Sequence, residues 1–141
     1  MGIRFRVAGS ELADFDERSI VNAEFLSESP RDSNAKATNY GIGLKVWGRV
    51  LYTVGGDTDD VLKLARWSQI PSESADCYRI AELSVISAGQ VVRKYRIPNA
   101  FVLEYSEKAD DVRGIGEFYI HIRQKKDQNR DAAVEGGYAG E

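Results

Sequence analysis

The chain of 141 residues contains one cysteine, one histidine and one methionine. A lone Cys77 rules out an intrachain disulfide, and both a reducing compartment and indifference to redox fit that count. One histidine and one cysteine fall short of the four ligands a structural zinc site takes, so no metal is expected. Long apolar runs are missing too: nothing approaches the roughly 18 residues of a membrane span. The opening "MGIRFRVAG" alternates charged and apolar residues and lacks the hydrophobic region of a signal peptide, so cytoplasmic synthesis is expected, with export only by another route. There is no surplus of positive charge. Nineteen Lys and Arg stand against 22 Asp and Glu, a net −3, which argues against a general nucleic-acid binder and leaves room only for a basic patch on one face.

Binding motifs are equally scarce. "DTDD" (residues 57–60) lacks the spaced acids, glycine and distal glutamate of a calcium loop, and reads instead as the acidic start of a helix. The glycine pairs Gly41–Gly43, Gly55–Gly56 and Gly114–Gly116 lack the strand–loop–helix setting of a phosphate cradle, or the Lys-Ser/Thr that follows one. No cofactor is expected.

What the chain does have is period-two alternation. Apolar residues make up 43% and charged residues 29%, the profile of one ordinary soluble domain. Ile3, Phe5 and Val7 share one face of a first strand, and Val21, Ala23 and Phe25 one face of a second near Ser19–Leu26. The clearest strand is Tyr40–Val54, with Ile42, Leu44, Val46, Val50, Tyr52 and Val54 facing one way and Gly48 as a bending point among them. "DTDDVLKLARWS" predicts the one helix, capped by Asp57 or Thr58, with Val61, Leu64, Ala65 and Ser68 on its apolar face and Pro71 beyond its end. Strands follow at Tyr78–Ser87 and Val91–Ile97, separated by the turn "SAGQ". Pro98–Asn99 is expected to break the second of these, and Phe101, Leu103 and Tyr105 to start another. In the last strand, Ile115–Lys125, Phe118, Ile120 and Ile122 point inward. The expected fold is mainly β: an antiparallel barrel, or a tightly coiled two-sheet sandwich, of about seven strands with one flanking helix. Residues 1–126 form this domain, and 127–141 read as a flexible tail.

Three features are candidates for function. Cys77 and His121 would pair as nucleophile and base in a thiol hydrolase, but nothing around Cys77 resembles a setting that lowers a thiol's pKa. Trp47 falls on the polar face of the long strand beside Lys45 and Arg49, where an indole marks a contact surface or is covered by a second layer. Arg93, Lys94 and Arg96 read as a solvated strand face, with contact to an acidic partner as the alternative. No constellation for catalysis emerges, so no enzyme activity is expected.

The order of parts is similar to a known family. A strand pair leads to a long polar loop and a long strand, "GLKVWGRVLY". A helix ending in Trp, "DDVLKLARW", and the stretch "RKYRIPNAFVLEYS" follow, and "GIGEFYIHIRQKK" comes last. Over about residues 3–126 this resembles the tube-forming proteins of contractile injection machines, the hemolysin-coregulated protein of type VI secretion and the tail-tube proteins of contractile phages. It also resembles bacterial proteins called membrane-associated proteases, though the residues support neither half of that name. The tube resemblance implies a structural subunit that closes into hexameric rings, stacks into a hollow tube and conducts effectors. Its partners would be further copies of itself and sheath, tip, spike or effector proteins, and it would leave the cell only as part of the apparatus. It also implies that the polar loop Ser27–Asn39 reaches a neighbouring subunit, with Pro30, Arg31, Asp32, Ser33 and Asn34 at the interface. Lys45, Trp47 and Arg49 become candidates for a contact or lumen surface. A thiol hydrolase using Cys77 and His121 and a monomeric β-barrel binding module are the alternatives.

Overall fold

A single strand of 21 residues, Gln90–Asp110, organises the molecule by changing partner halfway along its length. The computed structural model describes residues 1–28, 41–50, 59–125 and 133–136. In chain order the strands are β1 (Gly2–Ala8), β2 (Leu12–Phe15), β3 (Ile20–Glu28), β4 (Gly41–Val50), β5 (Arg79–Ser87), β6 (Gln90–Asp110), β7 (Ile115–Gln124) and β8 (Ala133–Gly136), with helix α1 at Asp60–Ser68. All pairings are antiparallel, in the order β2-β1-β5-β6-β7-β4-β3, and β8 lies against β6. The N-terminal half of β6, up to Ala100, pairs with β5, and the half from Ala100 onward pairs with β7.

The change of partner happens at Pro98–Asn99. Between Ala81↔Ile97 and Arg79↔Ala100 β6 carries an extra residue, a bulge that bends the strand. Proline has no N–H to lose there, and Asn99 adopts φ 54°, a left-handed conformation that asparagine tolerates. The Gln124 side-chain amide donates to the Pro98 carbonyl at 2.7 Å, and the Lys125 N–H donates to the Asn99 carbonyl at 2.9 Å. The expected break is therefore a bend inside one continuous strand.

The bend folds the sheet into two leaves that face each other, β2-β1-β5-β6 and β6-β7-β4-β3. Phe15 of the first leaf meets Phe118 of the second at 5.5 Å between ring centroids, and Tyr95 stacks on Phe25 at 4.5 Å. Phe5, Val7, Leu83 and Ile97 from one leaf and Leu44, Val46, Ile120 and Ile122 from the other fill the space between them. The end strands β2 and β3 do not pair, so of the two expected architectures this is the open one, a coiled two-leaf sheet rather than a closed barrel.

Within this frame several expectations need correction. β2 was not anticipated: its four residues bury Ala13 and Phe15 between two turns. In β3, Ala23 and Phe25 pack against the core as expected, but Val21 is 54% exposed. The register slips between Ile20 and Asn22, so Ile20 takes the inward place and Val21 bulges out. A second slip between Val102 and Glu104 likewise turns Leu103 outward, and Val102 and Tyr105 pack against the core. Part of the stretch read as a tail, Ala133–Gly136, forms β8. Tyr52, Val54, Asp57 and Thr58 lie outside the described residues.

Helix α1 is capped by Asp59, whose carboxylate accepts from the Leu62 N–H at 3.1 Å. It docks through Val61 and Leu64, as read from their spacing, and through Trp67, which replaces Ala65 and Ser68 as the third anchor. The Trp67 indole N–H donates to the Cys77 carbonyl at 2.7 Å. Beside it Arg79, buried, bonds the Ser10 hydroxyl at 3.1 Å and the Asp76 carboxylate at 2.9 Å. The Ser10 contact, followed by Arg79, holds the Asp76 carboxyl below its usual pKa. This corner fastens the helix to the first leaf.

Candidate functional site

The outward face of the second leaf is built by the residues that alternate with the core. Opposite Leu44, Val46 and Gly48 on β4 come Lys45, Trp47 and Arg49, and register sets their neighbours. One cross-strand row runs Glu24, Lys45, His121, Glu104, and the next runs Asn22, Trp47, Tyr119, Ser106. In the first row acidic Glu24 and Glu104 flank the basic pair Lys45 and His121, so each basic side chain has a carboxylate directly opposite it on its outer side.

In the second row the Trp47 and Tyr119 rings lie 5.1 Å apart at a tilt of 34°. Both are half-buried. They form one wall of a shallow groove of about 400 Å³, into which Asn22, Ser106, Lys108 and Glu117 also project. Burial raises the Tyr119 phenol's pKa, and the negative charges of Glu104 and Glu24 push it the same way. The hydroxyl therefore stays protonated across the physiological range. Two aromatic faces ringed by amide, hydroxyl and charged groups suit contact with another surface.

The three residues singled out on β4 do not stay together. Lys45 and Trp47 share the open face. Arg49 is drawn to the β2–β3 turn, where its guanidinium donates to the Arg18 carbonyl at 2.7 Å and its N–H to the Ser19 carbonyl at 2.8 Å. It borders a different cleft, of about 650 Å³, with Arg4, Asp14, Asp16, Arg18 and Asp60. There Asp16 is bound by Arg18 at 3.1 Å, and the Arg18 hydrogen bonds hold its pKa low. The pairing of Trp47 with Tyr119 was missed. Alternation placed each on a polar face, but only the β4–β7 register sets them side by side. Pro30, Arg31, Asp32, Ser33 and Asn34 lie outside the described residues.

Cys77 and His121 serve different places. His121 projects from the outward face of β7 between Lys45 and Glu104. Cys77 is buried at the end of a short 3₁₀ turn, Ala75–Cys77, beside Trp67. Burial raises its thiol pKa, Arg79 opposes this, and Asp76 adds to it. That is the reverse of an activated nucleophile. Native protein is accordingly expected to react with a thiol reagent such as Ellman's at least about tenfold more slowly than urea-unfolded protein. Equal rates would show an accessible, ionised thiol. Among the described residues no three His, Cys, Asp or Glu gather where a metal could be held. No helix there is long and apolar enough to cross a membrane.

No protein-family model matches the chain, and no curated protein matches its sequence. Solved structures do. Hcp1 from Flavobacterium johnsoniae superposes with a TM-score of 0.58 at 14% identity, covering 97% of each chain. A chain of the anti-feeding prophage baseplate, determined with 6-fold symmetrisation, gives 0.55 at 11% identity over 98% of this chain and 95% of its own. A chain of the sheath–tube complex of the extracellular contractile injection system PVC, in its extended state, gives 0.50 at 14% identity over 94% and 88%. The resemblance drawn from the order of elements therefore holds for the fold along nearly the whole chain.

Proposed function

We propose that this chain is a structural subunit of the inner tube of a contractile injection machine, assembling into hexameric rings that stack. The observation that carries the reading is the end-to-end similarity of fold to Hcp1, with 97% of both chains covered. A fold does not by itself fix a function, so features of this chain matter beside it. The sheet is open and ends in two strands, β2 and β3, that have no partner strand on their outer sides among the described residues. Edges of this kind are either guarded or used for association; Lys63 of α1 guards β2 by donating to the Leu12 carbonyl at 2.9 Å, which leaves β3. The outward face of the second leaf combines the Trp47–Tyr119 pair with acidic and basic groups, a composition suited to contact with protein surfaces. The segment carrying Pro30–Asn34 follows β3, an end strand of the sheet.

In this reading Pro30, Arg31, Asp32, Ser33 and Asn34 contact the adjacent subunit, and Lys45 and Trp47 line either the lumen or a second subunit contact. Sheath, cap or tip proteins are the external partners, effectors the cargo, and export occurs with the apparatus. Arg31→Glu should raise the protein concentration at which assembly begins by at least about tenfold, the effect of roughly 1.4 kcal/mol per interface. The melting temperature should not change. Light scattering across a dilution series reads the first quantity and circular dichroism the second. An unshifted assembly curve would remove the loop from the interface.

A further inference from the structure

β8 is held in an unusual way. It consists of four residues, pairs only with β6, and buries little: Val134 is 48% exposed and Glu135 and Gly136 face solvent. Its register sets Val134 opposite Tyr95, Glu135 opposite Lys94 and Gly136 opposite Arg93. An acidic residue thus lies on the most basic stretch of β6. At Gly136 the backbones run close, because a Cβ there would sit 3.0 Å from the Val92 carbonyl and press on the Arg93 side chain. Backbone pairing and charge, rather than burial, hold β8.

The edge it occupies has no other strand on it among the described residues. β7 pairs with β6 only from Ala100 onward, so the β6 residues before Ala100 are met on that side by β8 alone. The connection is also longer than its task. Lys125 is fixed beside Asn99 and Ala133 stands opposite Arg96, three positions along β6 or roughly 10 Å. The eight steps of chain from 125 to 133 extend to about 27 Å. A connection longer than the distance it covers is what an exchange of β8 between copies requires. Such an exchange keeps every β6–β8 contact and alters only the loop-closure entropy.

We propose that β8 is exchanged between subunits: in the ring, Ala133–Gly136 of one copy pairs with Arg93–Arg96 of the next, clasping neighbours together. This rests on the ring reading above. The test mixes two single-site variants in a Cys77→Ser background, Lys94→Cys and Glu135→Cys, under mild oxidation. Only an exchanged strand brings these two cysteines together, because they lie on different chains. Exchange predicts at least about tenfold more mixed disulfide in the assembled fraction than in the monomeric one, since neighbours hold the two segments at millimolar effective concentration. Normal rings without the mixed disulfide, while the double variant Lys94→Cys/Glu135→Cys closes within one chain, would overturn the exchange and leave the ring reading standing. Absence of rings, read from particle size in the same sample, would remove both.

Discussion

Trp67→Ala should lower the unfolding free energy by about 4 kcal/mol, the cost of an emptied aromatic site in a packed core. Trp67 is 2% exposed and anchors α1 together with Val61 and Leu64. Its removal also leaves the Cys77 carbonyl without the indole donor that reaches it at 2.7 Å. The Arg79 guanidinium, 5.7 Å from the centre of the ring, loses the aromatic surface it covers. Trp67→Phe separates the contributions. It keeps most of the packing and loses the N–H, so a cost of roughly 1–2 kcal/mol is expected. Urea titration of the two variants reads both numbers. If Trp67→Ala cost less than about 1 kcal/mol, the helix would not be held to the sheet by this residue.

Gly48→Val should cost about 3 kcal/mol by the opposite route, adding volume where none is free. Gly48 faces the core on β4. A Cβ there would stand 2.5 Å from the Phe118 ring at Cζ and 2.8 Å from the Ser19 carbonyl oxygen. The ring can be trimmed, but the carbonyl belongs to the turn that feeds the β3 bulge. Phe118→Leu in the Gly48→Val background should therefore recover only part of the loss, with a coupling energy of roughly 1 kcal/mol between the sites. Full recovery would mean that Ser19 does not constrain the position. No coupling would mean that the Phe118 contact is not the obstacle.

Those two sites also show where reading the sequence succeeds and where it stops. Gly48 stood out because it interrupts a run of inward residues on the longest strand, and its place on the core face follows from parity alone. The ring and carbonyl that require a glycine come from β7 and from the residue before β3, and no local pattern points to them. The helix was legible from Val61 and Leu64, but Trp67 became its third anchor because the 3₁₀ turn at Ala75–Cys77 brings a carbonyl to its indole. Period-two alternation located Phe118, Ile120 and Ile122 on β7 for the same reason that it misjudged Val21. Alternation assumes an unbroken register, and a bulge shifts it by one. Pro98 suggested a strand end, yet a bulge supplies the one interior position where its missing N–H costs nothing.

The candidate surface was half legible. Lys45 and Trp47 were found because a polar strand face carrying an indole is conspicuous. Tyr119 joined them only through strand pairing, and the rows Glu24–Lys45–His121–Glu104 and Asn22–Trp47–Tyr119–Ser106 exist only once four strands are in register. His121 stands between Lys45 and Glu104. Cys77 is buried beneath the helix, its thiol pKa raised rather than lowered. The β8 strand was illegible for a different reason. Four residues with no apolar period become a strand because β6 offers them a basic edge with no other strand on it among the described residues.

The direct test of the tube reading is the particle size of the purified wild-type chain across a concentration series, by light scattering after size exclusion, with negative-stain images of each fraction. Closed rings with a central hole, joined into short stacks as concentration rises, are the expected result. A monomer at every concentration, with no ring in any image, would contradict the proposal that this chain builds a tube by itself.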